Sequence, residues 1–95
     1  MRRAAKIDAN QPEIVKALRA VGATVTPTHA AGQGFPDLCV GFRGRNFLLE
    51  VKDGSKVPSA RRLTKDQVSW HATWEGHVEV VETTDEALQA IGVGV

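Results

Sequence analysis

The spacing of apolar residues predicts that the chain begins with an amphipathic helix. Apolar side chains form one stripe at intervals of one, three and three residues, made of Ile14, Val15, Leu18 and Val21. Asn10 is the predicted N-cap, Pro12 suits the first helical turn, and Glu13 stands three residues after Asn10, in the capping-box position. Because Gly22 ends the stripe, we predict a helix of about three turns.

The positions that follow change to the patterns of strands and loops. Residues 23–27 contain a β-branched run that ends in a proline, which predicts a short strand at a sheet edge. Residues 29–36 contain glycines and a proline and predict a loop. Two short apolar runs, 38–42 and 47–51, then flank the polar connection 43–46, and this arrangement predicts a β-hairpin.

The second half of the chain predicts a loop, a helix, a strand and a helix. Residues 54–62 are polar and basic and predict a mobile loop. Thr64 and Gln67 form a Thr-x-x-Gln capping box that begins the second helix. Residues 77–81 then predict a strand, and residues 83–92 a last short helix.

The predicted order α-β-β-β-α-β-α indicates an α/β fold with a mixed sheet of about four strands flanked by helices. A length of 95 residues fits one domain spanning 1–95. Hydrophobic residues make up 42% and charged residues 24% of the chain, which excludes extended disorder. No apolar run reaches the ~20 residues of a membrane span, and the basic start 1–6 lacks a signal-peptide core. We therefore expect a cytoplasmic protein with no membrane partner.

The charges are unevenly distributed along the chain. All 12 Lys and Arg lie in residues 1–65, which carry a net charge of +7, whereas residues 66–95 carry −6. One part of the surface could therefore attract a polyanion, although the same asymmetry could simply solvate two faces. Cys39 is the only cysteine, which excludes an internal disulfide and a thiol cluster for zinc.

Three charged residues converge if the hairpin forms as predicted. Asp37 precedes the first hairpin strand and Glu50 lies near the end of the second, so antiparallel pairing brings their carboxylates together. Lys52 points to the same side as Glu50, because strand side chains alternate, while Val51 points into the core.

Such a cluster suits metal-assisted hydrolysis of a phosphodiester. Carboxylate oxygens bind Mg²⁺, which activates a bound water and stabilises charge on the attacked phosphate. Lys52 could orient or deprotonate the nucleophile, or stabilise the pentavalent phosphate. On the two residues alone, Glu50 and Lys52 could instead form a surface ion pair worth about 0–1 kcal/mol.

The wider motif is more specific than that pair. Gly34-Phe35-Pro36-Asp37, twelve intervening residues and then Glu50-Val51-Lys52 resemble the PD-(D/E)XK nuclease superfamily. Within it, the chain is similar to the small stand-alone VRR-type nuclease domains of phages and bacteria, which are akin to Holliday junction resolvases. The resemblance extends from about residue 13 to residue 81.

The resemblance implies a restriction-endonuclease-like core and assigns roles to individual residues. Asp37 and Glu50 match the metal-binding acids, the backbone carbonyl of Val51 would be a further ligand, and Lys52 matches the catalytic lysine. The implied cofactor is Mg²⁺, for which Mn²⁺ can substitute.

Two more residues match the family and also have a local explanation. Glu13 matches an acid on the first helix that supports the metal site, directly or through water. Gln67 matches the polar residue that opens the helix after the catalytic strand. Both are also capping-box residues, and the two roles can coexist.

Basic residues near the catalytic strand are the predicted contacts to DNA phosphates. They are Arg43, Arg45, Lys56, Arg61, Arg62 and Lys65. Nothing in the sequence indicates readout of bases, so we expect recognition of DNA shape. Trp70 and Trp74 share one helix face, which could be core, a subunit interface or a stacking platform for bases.

The sequence therefore predicts a metal-dependent DNA endonuclease that cuts branched, junction or flap DNA. Because resolvase-like relatives pair two sites, we expect a homodimer, in a bacterial cell or a phage-infected host. One alternative is a non-catalytic nucleic-acid-binding module or accessory subunit that keeps the nuclease fold. Another is an interaction protein that docks a partner on Trp70 and Trp74.

Overall fold

The structure is a computed structural model that describes residues 7–94; the basic start 1–6 lies outside the described residues. Its helices and strands, in chain order, are α1 (Gln11–Ala20), β1 (Thr24–Pro27), β2 (Leu38–Phe42), β3 (Arg45–Val51), α2 (Lys65–Thr73), β4 (Glu79–Val81) and α3 (Thr84–Ala90). Short 3-10 turns lie at His29–Ala31 and Pro58–Arg61. The predicted order of helices and strands is confirmed.

The four strands form one mixed sheet in the order β1-β2-β3-β4. The pairs β1–β2 and β2–β3 are antiparallel, whereas β3 and β4 are parallel. β1 is an edge strand that ends at Pro27, where the missing amide hydrogen is tolerated. The mixed sheet predicted from the sequence is confirmed.

The β2–β3 connection is shorter than predicted. Arg43 and Gly44 have φ values of +52° and +77°, and Phe42 pairs directly with Arg45. This is a two-residue turn of the kind that matches the twist of a hairpin. The predicted four-residue connection 43–46 was therefore wrong, because β3 already begins at Arg45.

One face of the sheet is closed by α1 and α3. Its fully buried side chains come from both helices and from the strands β2, β3 and β4: Ile14, Leu18, Leu38, Val40, Leu49, Val51, Val81 and Ala87. Each large apolar side chain buried there contributes on the order of 1.5–3 kcal/mol to folding. This face is the hydrophobic core.

The start of α1 does not form the predicted capping box. Asn10 occupies the N-cap position, but its side chain caps no helical amide. Its Nδ2 instead donates to the backbone carbonyls of Lys52 and Glu82, at 3.0 Å each. Asn10 therefore ties the start of α1 to the ends of β3 and β4.

The opposite face of the sheet carries α2, which has no fully buried residue. The loop before α2, predicted to be mobile, is tied down by ion pairs from Lys56 to Asp8 and from Arg61 to Glu82. No helix within residues 7–94 is long and apolar enough to cross a membrane.

Candidate active site

A cavity of about 300 Å³ opens where β2 begins and β3 ends. It is lined by Asp8, His29, Gly32, Gly34, Phe35, Asp37, Glu50, Lys52, Thr64, Asp66 and Gln67. The three residues predicted to carry the chemistry, Asp37, Glu50 and Lys52, therefore share one cavity.

The hairpin register places Asp37 next to Glu50. Leu38 pairs with Leu49 in the antiparallel hairpin, so Asp37, just before Leu38, lies beside Glu50, just after Leu49. The backbone amide of Val51 donates a hydrogen bond of 2.8 Å to Asp37 Oδ2. This bond fixes the Asp37 carboxylate against the catalytic strand.

Glu50 is a buried carboxyl group, with only 1% of its surface exposed. The pKa of Glu50 is raised to about 9, mainly by burial and then by the neighbouring Asp37 carboxyl group, while the charge of Lys52 acts in the opposite direction. Its Oε2 accepts a hydrogen bond of 2.9 Å from Gln67 Nε2. Its Oε1 is buried and has no partner within the described residues.

Lys52 is also buried, with 8% of its surface exposed. Its Nζ donates to Gln67 Oε1 at 2.7 Å and lies 4.0 Å from Glu50 Oε2. A buried ammonium group needs such partners, because an unpaired charge is costly to remove from water. The lysine is thus held beside the two carboxylates.

Gln67 has both sets of contacts suggested by the sequence. It completes the capping box. Its Oε1 accepts a hydrogen bond from the backbone amide of Thr64 at 2.8 Å, and its backbone amide donates to Thr64 Oγ1 at 3.2 Å. The same carboxamide contacts Glu50 and Lys52. One side chain therefore links the beginning of α2 to both charged groups on β3.

The free oxygen of Glu50 fits a divalent cation. An orphaned carboxylate oxygen beside a second carboxylate gives the hard oxygen ligands that Mg²⁺ prefers. No group of three or more His, Cys, Asp or Glu side chains in residues 7–94 is arranged to hold a metal ion. A bound ion would therefore complete its coordination with water, as Mg²⁺ commonly does.

Glu13 lies outside this cavity. It is exposed on α1 and lines a different cavity together with Asp53, Glu82 and Asp85. This placement does not fit direct support of a metal at Asp37 and Glu50.

Asp8, rather than Glu13, is the acidic residue near the start of α1 that lies at the active-site cavity. It lines the active-site cavity, and its charge contributes to the raised pKa of Glu50. The only sequence signal for Asp8 is that it is an acid shortly before the helix start, which is common near helix N-termini.

Arg43 and Arg45 are far from the carboxylates. Arg43 lies in the hairpin turn and Arg45 directly follows it, at the opposite end of the five-residue strand β2 from Asp37, a separation of about 17 Å at ~3.3 Å per residue. The Arg43 guanidinium lies 4.7 Å from the centre of the Phe42 ring. Arg45 lines a separate cavity.

The other predicted DNA contacts lie nearer the site. Lys56 and Arg61 already form ion pairs with Asp8 and Glu82. Arg62 and Lys65 are exposed and form no ion pair within the described part of the chain. They precede and begin α2, close in sequence to the cavity residues Thr64 and Asp66.

Comparisons with known proteins support the same family. A scan against protein-family models finds no match, and a search of curated proteins finds none. A search of solved structures finds a chain described as "VRR_NUC domain", with a TM-score of 0.61 and 26% sequence identity. The match covers 83% of this chain and 86% of that chain. It confirms the resemblance seen in the sequence: this protein has the restriction-endonuclease-like α/β fold of a VRR-Nuc nuclease domain.

Proposed function

We propose that this protein is a metal-dependent endonuclease that hydrolyses phosphodiester bonds in DNA. The observation that carries the proposal is that Asp37, Glu50 and Lys52 share one cavity and that Gln67 contacts the last two. The fold of a nuclease domain supports the same conclusion.

The residues of the cavity divide the chemistry among them. Asp37, Glu50 and the backbone carbonyl of Val51 would hold Mg²⁺ or Mn²⁺, which when bound supplies an activated water and stabilises charge on the phosphate. Lys52 directs its ammonium group at the attacked phosphate or its nucleophile and stabilises the negative charge that develops there. Gln67 positions Lys52, because it accepts a hydrogen bond from Nζ at 2.7 Å.

We propose branched, junction or flap DNA as the substrate, bound through its phosphates by a homodimer. Arg62 and Lys65 are the exposed cations nearest the cavity in the chain, and Arg43 and Arg45 would reach a more distant part of the DNA. Recognition through phosphates makes binding salt-dependent and independent of base sequence.

The test is cleavage of labelled four-way junction, flap, single-stranded and linear duplex DNA in Mg²⁺, Mn²⁺ or EDTA. Wild type is compared with Asp37→Asn and Lys52→Ala, and with Lys16→Ala as a control for loss of an exposed lysine on α1. We expect metal-dependent cleavage that falls at least about 10²- to 10³-fold in both site variants, the range measured for loss of one group that stabilises transition-state charge.

Two results would contradict this proposal. Cleavage retained by Lys52→Ala would remove Lys52 from the catalytic site. Binding without cleavage of any of the four DNA forms would instead indicate a non-catalytic binding module.

A further inference from the structure

The catalytic cavity continues into a row of aromatic rings on the same side of the sheet. This aromatic platform consists of Phe35, Trp70 and Trp74. Phe35 lines the cavity and meets Trp70 edge to face at 5.4 Å between ring centres. Trp70 stacks on Trp74 at 4.5 Å, with an angle of 19° between the planes. The row therefore leads from the catalytic carboxylates to the surface.

The platform is not part of the hydrophobic core. The core lies on the other face of the sheet, and α2 contributes no fully buried residue to the fold. Trp70 is only half-buried, and Trp74 remains 41% exposed. The packing of the core therefore does not account for these two tryptophans.

Close packing fixes the platform relative to the catalytic residues. Gly34 has a φ of +84°, and a Cβ there would collide with the backbone carbonyl of Asp66 at the start of α2. The loop that carries Phe35 and Asp37 is thus pressed against the helix that carries the tryptophans.

A second glycine holds the exposed end of the platform. A Cβ on Gly76 would lie 2.8 Å from Trp74 Nε1, so the chain after α2 runs directly against the indole. An exposed ring held in this way loses little conformational entropy when a ligand stacks on it.

Two exposed cations lie at the opposite end of α2 from Trp74. Arg62 precedes the helix and Lys65 begins it, and both are exposed and unpaired within residues 7–94. Trp74 directly follows the helix, about 14 Å along its axis from Lys65. A single strand whose phosphates are held at these cations and at the cavity would have to follow α2 to bring a base onto the rings. In a duplex the bases are stacked on each other, and only an unpaired base can offer its face to a side chain.

We propose that Trp74 is a stacking site for an unpaired base on the strand that is cut. This rests on the proposed function and narrows the substrate to DNA with a single-stranded segment at the cleavage site, such as a flap.

A second copy of the chain fits the aromatic platform less well than a base does. A stable interface buries about 800 Å² per partner, whereas one aromatic side chain buries at most about 250 Å² and two of these three rings are already partly covered.

Tryptophan fluorescence tests the stacking directly. The chain has two tryptophans and no tyrosine, so Trp70→Phe leaves Trp74 as the only strong fluorophore. This variant is titrated in EDTA with a thymidine oligonucleotide and with an abasic oligonucleotide of the same length, which keeps the phosphates and lacks the bases. We expect the thymidine strand to quench Trp74 and the abasic strand to leave it nearly unchanged. Equal responses to both strands would overturn the proposal.

Affinity provides an independent readout. In EDTA, Trp74→Ala should bind single-stranded and flap DNA roughly 5- to 150-fold more weakly than wild type, which is the ~1–3 kcal/mol of one base–aromatic stack. Its affinity for linear duplex should stay within about twofold. Trp74→Phe should recover part of the loss, and Val68→Ala, which removes an exposed apolar side chain from the same helix, should change nothing.

The outcomes separate this inference from the proposed function. Unchanged binding by Trp74→Ala, or a change confined to dissociation of a protein dimer, overturns the stacking site while cleavage by the wild type still stands. If Trp74→Ala loses base-dependent binding and the wild type cuts none of the four DNA forms, the stacking site is supported and the proposed nuclease activity is overturned.

Discussion

The two faces of the sheet differ in what they bury, and adjacent residues of β3 show the difference. Leu49 is fully buried on the closed face among the side chains of α1 and α3. Glu50, the next residue, is buried to the same degree on the catalytic face, where its partners are Gln67 and Lys52. One face buries apolar surface, and the other buries ionisable groups.

This difference indicates how a chain of 95 residues maintains a buried charged site. Apolar burial on the closed face stabilises the fold, whereas burying a carboxylate and an ammonium group is unfavourable unless each is paired. Asn10 joins the two regions, because it ties the start of α1 to the backbone of Lys52. The closed face thus supplies the stability that burial of ionisable groups on the opposite face requires.

The largest expected effect comes from disrupting the hydrophobic core on the closed face. Leu49→Ala should lower the free energy of unfolding by about 2–5 kcal/mol, through lost burial and the cavity left behind. Leu48→Ala is the matched control, because Leu48 is the preceding residue of β3, is only half-buried and points to the other face. It should cost no more than about 1 kcal/mol. Chemical denaturation measures both, and equal losses would contradict the division into two faces.

Burial of the Glu50 carboxyl group should appear as a pH dependence of stability. The pKa of Glu50 rises from its ordinary 4.5 to about 9 in the folded protein. Between these values the folded state binds a proton that the unfolded state does not. The free energy of unfolding should therefore fall as pH rises through this range, by an amount on the order of a few kcal/mol.

Glu50→Gln provides the reference for this measurement, because glutamine imitates the protonated group. Relative to this variant, the metal-free wild type should lose stability between pH 5 and pH 8.5, in thermal or chemical unfolding, and comparison of the two cancels the other titrating groups. Saturating Mg²⁺ should restore the wild type and leave the variant unchanged, since an ion that binds only the folded state stabilises it. A difference that does not vary with pH would contradict the buried ionisable carboxyl.

The sequence predicted the local parts of the site better than the long-range ones. The convergence of Asp37, Glu50 and Lys52 follows from hairpin pairing and strand alternation, and Thr64 with Gln67 follows from a local capping pattern. The sequence could also have shown that Arg43 lies far from Asp37. A hairpin turn and the open ends of its strands lie at opposite ends by construction.

The contacts of α1 could not be predicted in this way. The spacing of Asn10 and Glu13 is that of a capping box, but Asn10 instead bonds to carbonyls 42 and 72 residues further along the chain. Such contacts depend on how the helix docks on the sheet, which no local pattern specifies. The same docking places Asp8 at the cavity and Glu13 outside it.

The smallest expected effect separates the two roles of Gln67. Gln67→Ala removes the side-chain hydrogen bonds of Gln67 to Lys52 and Glu50, and also its hydrogen bond to the Thr64 amide in the capping box. Cleavage should therefore fall about 10- to 100-fold, as it does when other residues that orient a metal site are lost. Thr64→Ala removes the other half of the box and should cost about 1 kcal/mol of stability with little change in cleavage. Gln67→Ala should lose a similar amount of stability, so cleavage at a temperature where both variants are fully folded distinguishes them. If the two variants lost cleavage equally, Gln67 would act only by holding the start of α2, and Lys52 would not depend on its carboxamide.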